Sequence, residues 1–253
     1  MIKKFNHPLT KLKFLGLIII FTSWLVIIYS SCRQKNNYII SGEKPTKSKP
    51  NSNISKKNKP DTILNTVTEN VGGHRFVINC MSGYNTFMLN DKGDTIYQDS
   101  VYSSQIKFSD FNNDGYKDII IDYLTNVPGI KDLLLFNKKE NTFKKVINFQ
   151  DFPAAERIPN SNYYYSYHRS GCADMNWDSD LFYIKDYKAI KLGNINGNQC
   201  ENRDIKDGIY IHKISNGKEI EIQRLPIGLI EKFKNYKWGF IAEYWSKNYR
   251  KFL

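Results

Sequence analysis

Asp110-Phe111-Asn112-Asn113-Asp114-Gly115-Tyr116-Lys117-Asp118 runs directly into Ile119-Ile120-Ile121, and this junction decides how the chain folds. Oxygen-bearing side chains stand at alternate positions 110, 112 and 114, a glycine follows, and a further carboxylate closes the stretch. Ca²⁺ takes about six to eight oxygen ligands, and one short loop can supply most of them. The candidate ligands are Asp110, Asn112, Asp114, the backbone carbonyl of Tyr116, and Asp118. Gly115 marks the sharp turn, because a residue without Cβ accepts left-handed backbone angles at little cost. Where a helix-loop-helix site would carry a bidentate Glu at its twelfth position, this chain has Ile121. The β-branched exit feeds a strand. The alternative is a polar Asn-Asp-Gly turn that needs no ion, but four oxygen residues at i, i+2, i+4 and i+8 favour the cation. The expected ion is structural Ca²⁺.

Working outward, the N-terminus reads as an export signal. Lys3, Lys4, Lys11 and Lys13 precede an apolar run from Phe14 to Tyr29, interrupted by Thr22 and Ser23. A charged segment followed by an apolar one is the secretory pattern. Tyr29-Ser30-Ser31-Cys32 resembles the lipobox of bacterial lipoproteins, which implies cleavage after residue 31 and lipidation of Cys32. An uncleaved anchor helix is the alternative, and both place the remainder outside the cytoplasm, attached to a membrane. No acidic run follows Cys32, which favours facing the periplasm over surface display.

Residues 32–65 read as a flexible basic linker of Lys, Ser, Asn and Pro, too poor in large apolar groups to offset the entropy of ordering. The charge is concentrated there. Of 37 Lys/Arg and 25 Asp/Glu, 12 and one fall in residues 1–60, so the net +12 of the whole chain becomes +1 for residues 61–253. The high pI therefore gives no argument for nucleic-acid binding. A basic stem at a membrane would favour anionic head groups, although a plain soluble spacer has the same composition.

Residues 66–253 suffice for one substantial core. Strand-like runs recur at 75–80, 84–89, 95–98, 104–109, 118–124, 131–136, 142–147, 162–168, 181–185, 189–192, 208–214 and 219–224, separated by turn residues. Ser215-Asn216-Gly217 between the last two is a strong hairpin signal. Only residues 229–253 have some helical character. The expected fold is all-β, a propeller-like or sandwich arrangement of antiparallel hairpins.

With Cys32 assigned to lipid, Cys80, Cys172 and Cys200 remain. In an oxidising envelope one pair can bridge; Cys172 with Cys200 is the better candidate, and Cys80 is expected as a buried thiol. Signals for catalysis are sparse. The four histidines are scattered, and neither a Gly-x-Ser-x-Gly turn nor a phosphate-binding glycine loop occurs. Asp174, Asp178 and Asp180 around Trp177 are a candidate carboxylate set for glycoside hydrolysis, with a polar loop as the alternative. Alternation places Tyr163, Tyr165 and Tyr167 on one strand face. They are candidates for partner binding, or else one face packs the core.

The loop at 110–118 resembles those of FG-GAP or VCBS-type repeats. The order from residue 75 to 195 adds a hairpin, a single calcium loop, an apolar strand, and Leu133-Leu134-Leu135-Phe136 before the Asn141-Thr142-Phe143 hairpin. An aromatic strand into Ser170-Gly171 and a final hairpin at 186–190 follow. This order is similar to the single-calcium-loop periplasmic lipoproteins, some of which are immunity proteins against lysozyme-like peptidoglycan hydrolases. The resemblance implies a compact propeller-like β fold and a binding role. The expectation is thus a lipid-anchored, calcium-binding envelope protein without enzymatic activity, a candidate inhibitor of a peptidoglycan hydrolase. A surface glycan-binding or adhesion module and an envelope hydrolase are the alternatives.

Overall fold

The computed structural model describes residues 62–83, 85–100, 103–200 and 205–253; the expected signal segment, Cys32 and the linker up to residue 61 lie outside them. The fold is all-β, three antiparallel sheets of which none closes into a barrel. The first sheet is a meander of β1 (Ile63–Val71), β2 (His74–Met81), β3 (Thr86–Leu89) and β4 (Thr95–Asp99). The second is a meander of β5 (Ser103–Ser109), β6 (Asp118–Tyr123), β7 (Lys131–Asn137) and β8 (Thr142–Lys145). The third runs β9 (Glu156–Arg157), β10 (Tyr163–Tyr165), β12 (Trp177–Lys185), β13 (Lys188–Asn198), β14 (Gly208–Ser215) and β15 (Lys218–Leu225), while β11 (His168–Arg169) pairs with β12 beside β10.

The second sheet is the middle layer, and its sequence shows why. Successive strand residues point to opposite faces, so a strand covered on both sides reads as an unbroken apolar run rather than an alternating one. Ile119, Ile121, Leu134, Phe136 and Phe143 pack one way, against Phe76, Ile78 and Met88 of the first sheet. Ile120, Leu133 and Leu135 pack the other way, against Tyr164, Phe182 and Ala189 of the third. The far face of the third sheet carries Trp177, Leu181, Ile195, Ile209 and Ile211, and it is covered by α1 (Tyr236–Asn248) through Phe240, Ile241 and Trp245. Helical spacing puts these three on one stripe. The Trp245 indole N–H donates to the Ser179 hydroxyl at 2.8 Å, which satisfies both groups inside the core.

Several elements differ from the sequence expectation. The folded region begins at Ile63, inside the expected linker, because β1 pairs with β2 along most of its length. Its Thr- and Asn-rich residues are mostly exposed, so little apolar signal marked it. The run at 162–168 divides into β10 and β11 at Ser166, which is fully buried and is bonded through backbone and hydroxyl to Asp180. Asn216 and Gly217 adopt positive φ of 50° and 72° and close the β14–β15 hairpin. Cys172 and Cys200 are joined by a disulfide with Cα atoms 6.2 Å apart, within the ordinary span. Cys80, expected as a thiol, is buried in β2 and is disulfide-bonded as well.

Candidate functional site

The loop between β5 and β6 is pinched where Ser109 pairs with Asp118, which leaves residues 110–117 to turn on themselves. Two positive φ angles make the turn possible, 62° at Asn113 and 91° at Gly115; a side chain at the latter would be strained although no atom stands in its way. The polar side chains cap the loop from within. Asp110 accepts the Asp114 and Gly115 N–H groups at 3.1 and 3.0 Å. Asn112 accepts the Asp114 N–H at 3.0 Å and gives its own amide to the Asp114 carboxylate. The other Asp114 oxygen accepts the Tyr116 N–H at 2.9 Å.

Asp118 differs from the rest because it has no exposed surface. One of its oxygens accepts the Phe111 N–H and the other the Phe136 N–H, both at 3.0 Å. The side chain thereby ties the start of the loop to β7. Burial pushes its carboxyl from 3.8 up to about 6, against the pull of the Phe136 and Phe111 N–H groups and with the Asp114 charge adding to the rise. A carboxylate in a dry site is costly unless a positive charge accompanies it. No basic side chain is among the groups that act most strongly on Asp118. The donor chemistry therefore fits a hard cation, held by Asp110, Asn112, Asp114 and Asp118, with each carboxylate oxygen keeping a lone pair beyond its hydrogen bond. In the structure these groups turn toward the loop's own N–H donors. Among the described residues no group of three or more His, Cys, Asp or Glu is gathered as a metal centre. Tyr116 contributes its ring, which lies 5.4 Å from that of Phe136.

The loop touches all three sheets. Lys117 reaches Glu69 of β1 at 2.6 Å, and Asp118 reaches β7. Phe111 stacks on Tyr164 of β10 with centroids 5.0 Å apart and planes 12° apart.

The other sequence candidates are spread out. Tyr163, Tyr165 and Tyr167 share one face, but it is the face that packs toward α1 and the C-terminal turn. Tyr165 is 9% exposed and donates to Glu156, Tyr167 donates to Asp174, and Tyr163 lies 5.3 Å from the Tyr249 ring. The row thus packs against the core, with Tyr165 buried and Tyr163 and Tyr167 half-buried. Trp177 is buried, so alternation turns Asp178 and Asp180 to the opposite face. There Asp178 accepts the Asn196 amide, and Asp180 accepts the Asn194 amide and pairs with Lys191 at 2.9 Å. Asp174 lies on the α1 side. Although burial opposes it, the Tyr167 hydroxyl and the Lys237 ammonium at 2.9 Å hold its carboxyl below the usual range.

Sequence reasoning missed Arg157. It lines a cleft of about 330 Å³ together with Asn112, Asn113, Asp114, Leu135, Asn162, Tyr164 and Ile184, so the cleft lies against the loop between β5 and β6. The segment Glu156-Arg157-Ile158-Pro159 has no motif that could have drawn notice to it.

No protein-family model and no curated protein matches the chain. Among solved structures it is similar to a Xanthomonas protein related to a Type IV secretion system, over 63% of this chain and 94% of that one, with 13% identity and a TM-score of 0.44.

Proposed function

We propose that the protein is a calcium-stabilised binding protein of the bacterial envelope, held at the membrane by its N-terminal segment and facing the periplasm. Its partner would be a peptidoglycan hydrolase of the lysozyme-like class, which it inhibits without being an enzyme. The observation that carries the calcium part is the loop itself: Asp118, fully buried, ties it to β7, while Lys117 reaches β1 and Phe111 stacks on β10. A cation held there would act as a staple, leaving recognition to the surface around it. The partner class rests on the resemblance of residues 75–195 to single-calcium-loop lipoproteins. A glycan-binding module would need exposed aromatic faces for stacking, and the row Tyr163, Tyr165 and Tyr167 packs toward α1, so no specific observation favours that reading.

Two measurements separate the parts. Calcium added to chelator-treated protein should raise the melting temperature, and Asp114→Ala should remove the rise; identical melting curves with and without the ion sink the calcium site. A set of lysozyme-type hydrolases assayed with the purified protein should include one that is slowed. Undiminished activity across the set removes the inhibitor assignment and leaves the calcium result standing.

A further inference from the structure

We propose that the cleft around Arg157 receives an acidic side chain, Asp or Glu, from a protein partner. Arg157 pairs with Tyr164 across β9 and β10, so both side chains lie on the face turned to the second sheet. Glu156, the adjacent residue, pairs with Tyr165 on the opposite face and accepts its hydroxyl at 2.6 Å. It is therefore out of reach as a counter-ion. Among the described residues the guanidinium forms no ion pair, and its Nε is buried without a hydrogen-bond partner. A buried donor left unmade costs on the order of 1–3 kcal/mol, and such groups are rare enough to need an explanation. Water can serve in the free protein. A carboxylate matches both the charge and the planar fork of donors.

The walls define the rest of the ligand. Asn113 and Asn162 offer amides that can pair with a peptide backbone, and Leu135, Tyr164 and Ile184 form an apolar floor. Asp114 is the one acidic residue of the lining, and both its oxygens are engaged by donors of its own loop. A sugar fits poorly. It would stack its ring on an aromatic face, but Tyr164 has Phe111 stacked on it at 5.0 Å and Phe182 stacked at 5.4 Å. The space of about 330 Å³ suits one acidic side chain and a neighbouring residue. The inference takes from the proposed function only that the partner is a protein.

The test uses N-acetyl-glutamate amide as the probe, with the folded protein followed by NMR at the Arg157 Nε–Hε resonance and, so that the variants can be compared, at the backbone amides of residues 157 and 162. Saturable displacement of that resonance is expected. Arg157→Gln should weaken binding about tenfold or more, the share of one charge-assisted hydrogen bond, while Arg157→Lys falls between. Unchanged melting of both variants shows that the fold is intact. A resonance that does not move, or that drifts linearly without saturating, overturns the proposal. So does tighter binding of inorganic phosphate or N-acetylmuramic acid than of the probe. If the probe binds but no hydrolase is slowed, the inhibitor reading fails and this site stands. If a hydrolase is slowed equally by the Arg157→Gln protein, the site fails and the inhibitor reading stands.

Discussion

Asp118→Asn should change the stability of the protein by different amounts with and without calcium. Burial raises the Asp118 carboxyl from 3.8 to about 6. At about 1.36 kcal/mol per unit, its charge at neutral pH costs the metal-free fold at most ~3 kcal/mol. Asparagine removes that charge. It also keeps only one carbonyl oxygen for the two N–H groups that Asp118 accepts, Phe111 and Phe136. The donor left over costs ~1–3 kcal/mol. The two changes oppose each other, so in chelator the variant should lie within ~2 kcal/mol of the parent, the difference of those terms. With calcium at a hundredfold excess over Kd, the parent gains ~2.7 kcal/mol, and the variant, short of a charged ligand, gains little. Urea unfolding followed by the fluorescence of the buried Trp177 and Trp245 measures both conditions. Equal calcium gains for parent and variant refute the assignment of Asp118 as a ligand. A deficit in chelator beyond ~3 kcal/mol would refute the claim that its buried charge is a burden, since the lost hydrogen bond alone accounts for no more than that.

Because the folded-state carboxyl of Asp118 titrates above its unfolded value, the metal-free protein should lose stability as pH rises from about 4 to about 6, and Asp118→Asn should flatten that slope; a slope unaffected by the substitution would exclude Asp118 as its source. Gly197→Ala should destabilise by ~1–3 kcal/mol, since its Cβ would stand 2.1 Å from the buried indole of Trp177, and an unchanged melting temperature counts against that packing. Replacing both Cys172 and Cys200 by Ser should cost about 3.6 kcal/mol for a loop closed over a separation of 28 residues, measured by thermal melting against the oxidised parent; a loss below ~1 kcal/mol would show that the bridge constrains little.

Strands with strong patterning were legible in advance, and so was the 110–117 loop as a strand-to-strand junction. Ile119-Ile120-Ile121 and Leu133-Leu134-Leu135-Phe136 read as strands because β-branched and apolar residues favour that state. They become a middle layer only when two other sheets supply cover, and that depends on contacts distant in sequence. The tyrosine row had the expected parity, yet its exposure depended on where α1 docks, which alternation cannot reveal. β1 escaped notice because its hydrogen bonds to β2, rather than buried apolar groups, hold it. Arg157 was invisible for a different reason: an unpaired guanidinium is a property of its surroundings and leaves no trace in local spacing.

A sheet covered on both sides has a consequence for how the protein comes apart. Neither outer sheet can peel away without exposing one side of the middle one, so the layers should unfold together rather than in turn. The amides of Ile119, Ile120 and Ile121 are expected to exchange with solvent only through global opening, while those of the outermost strand β15, whose residues are mostly exposed, exchange by local fraying. The rigid middle and the loose rim would then report on different events. Native-state hydrogen exchange could follow a partner arriving at the edge without disturbing the centre.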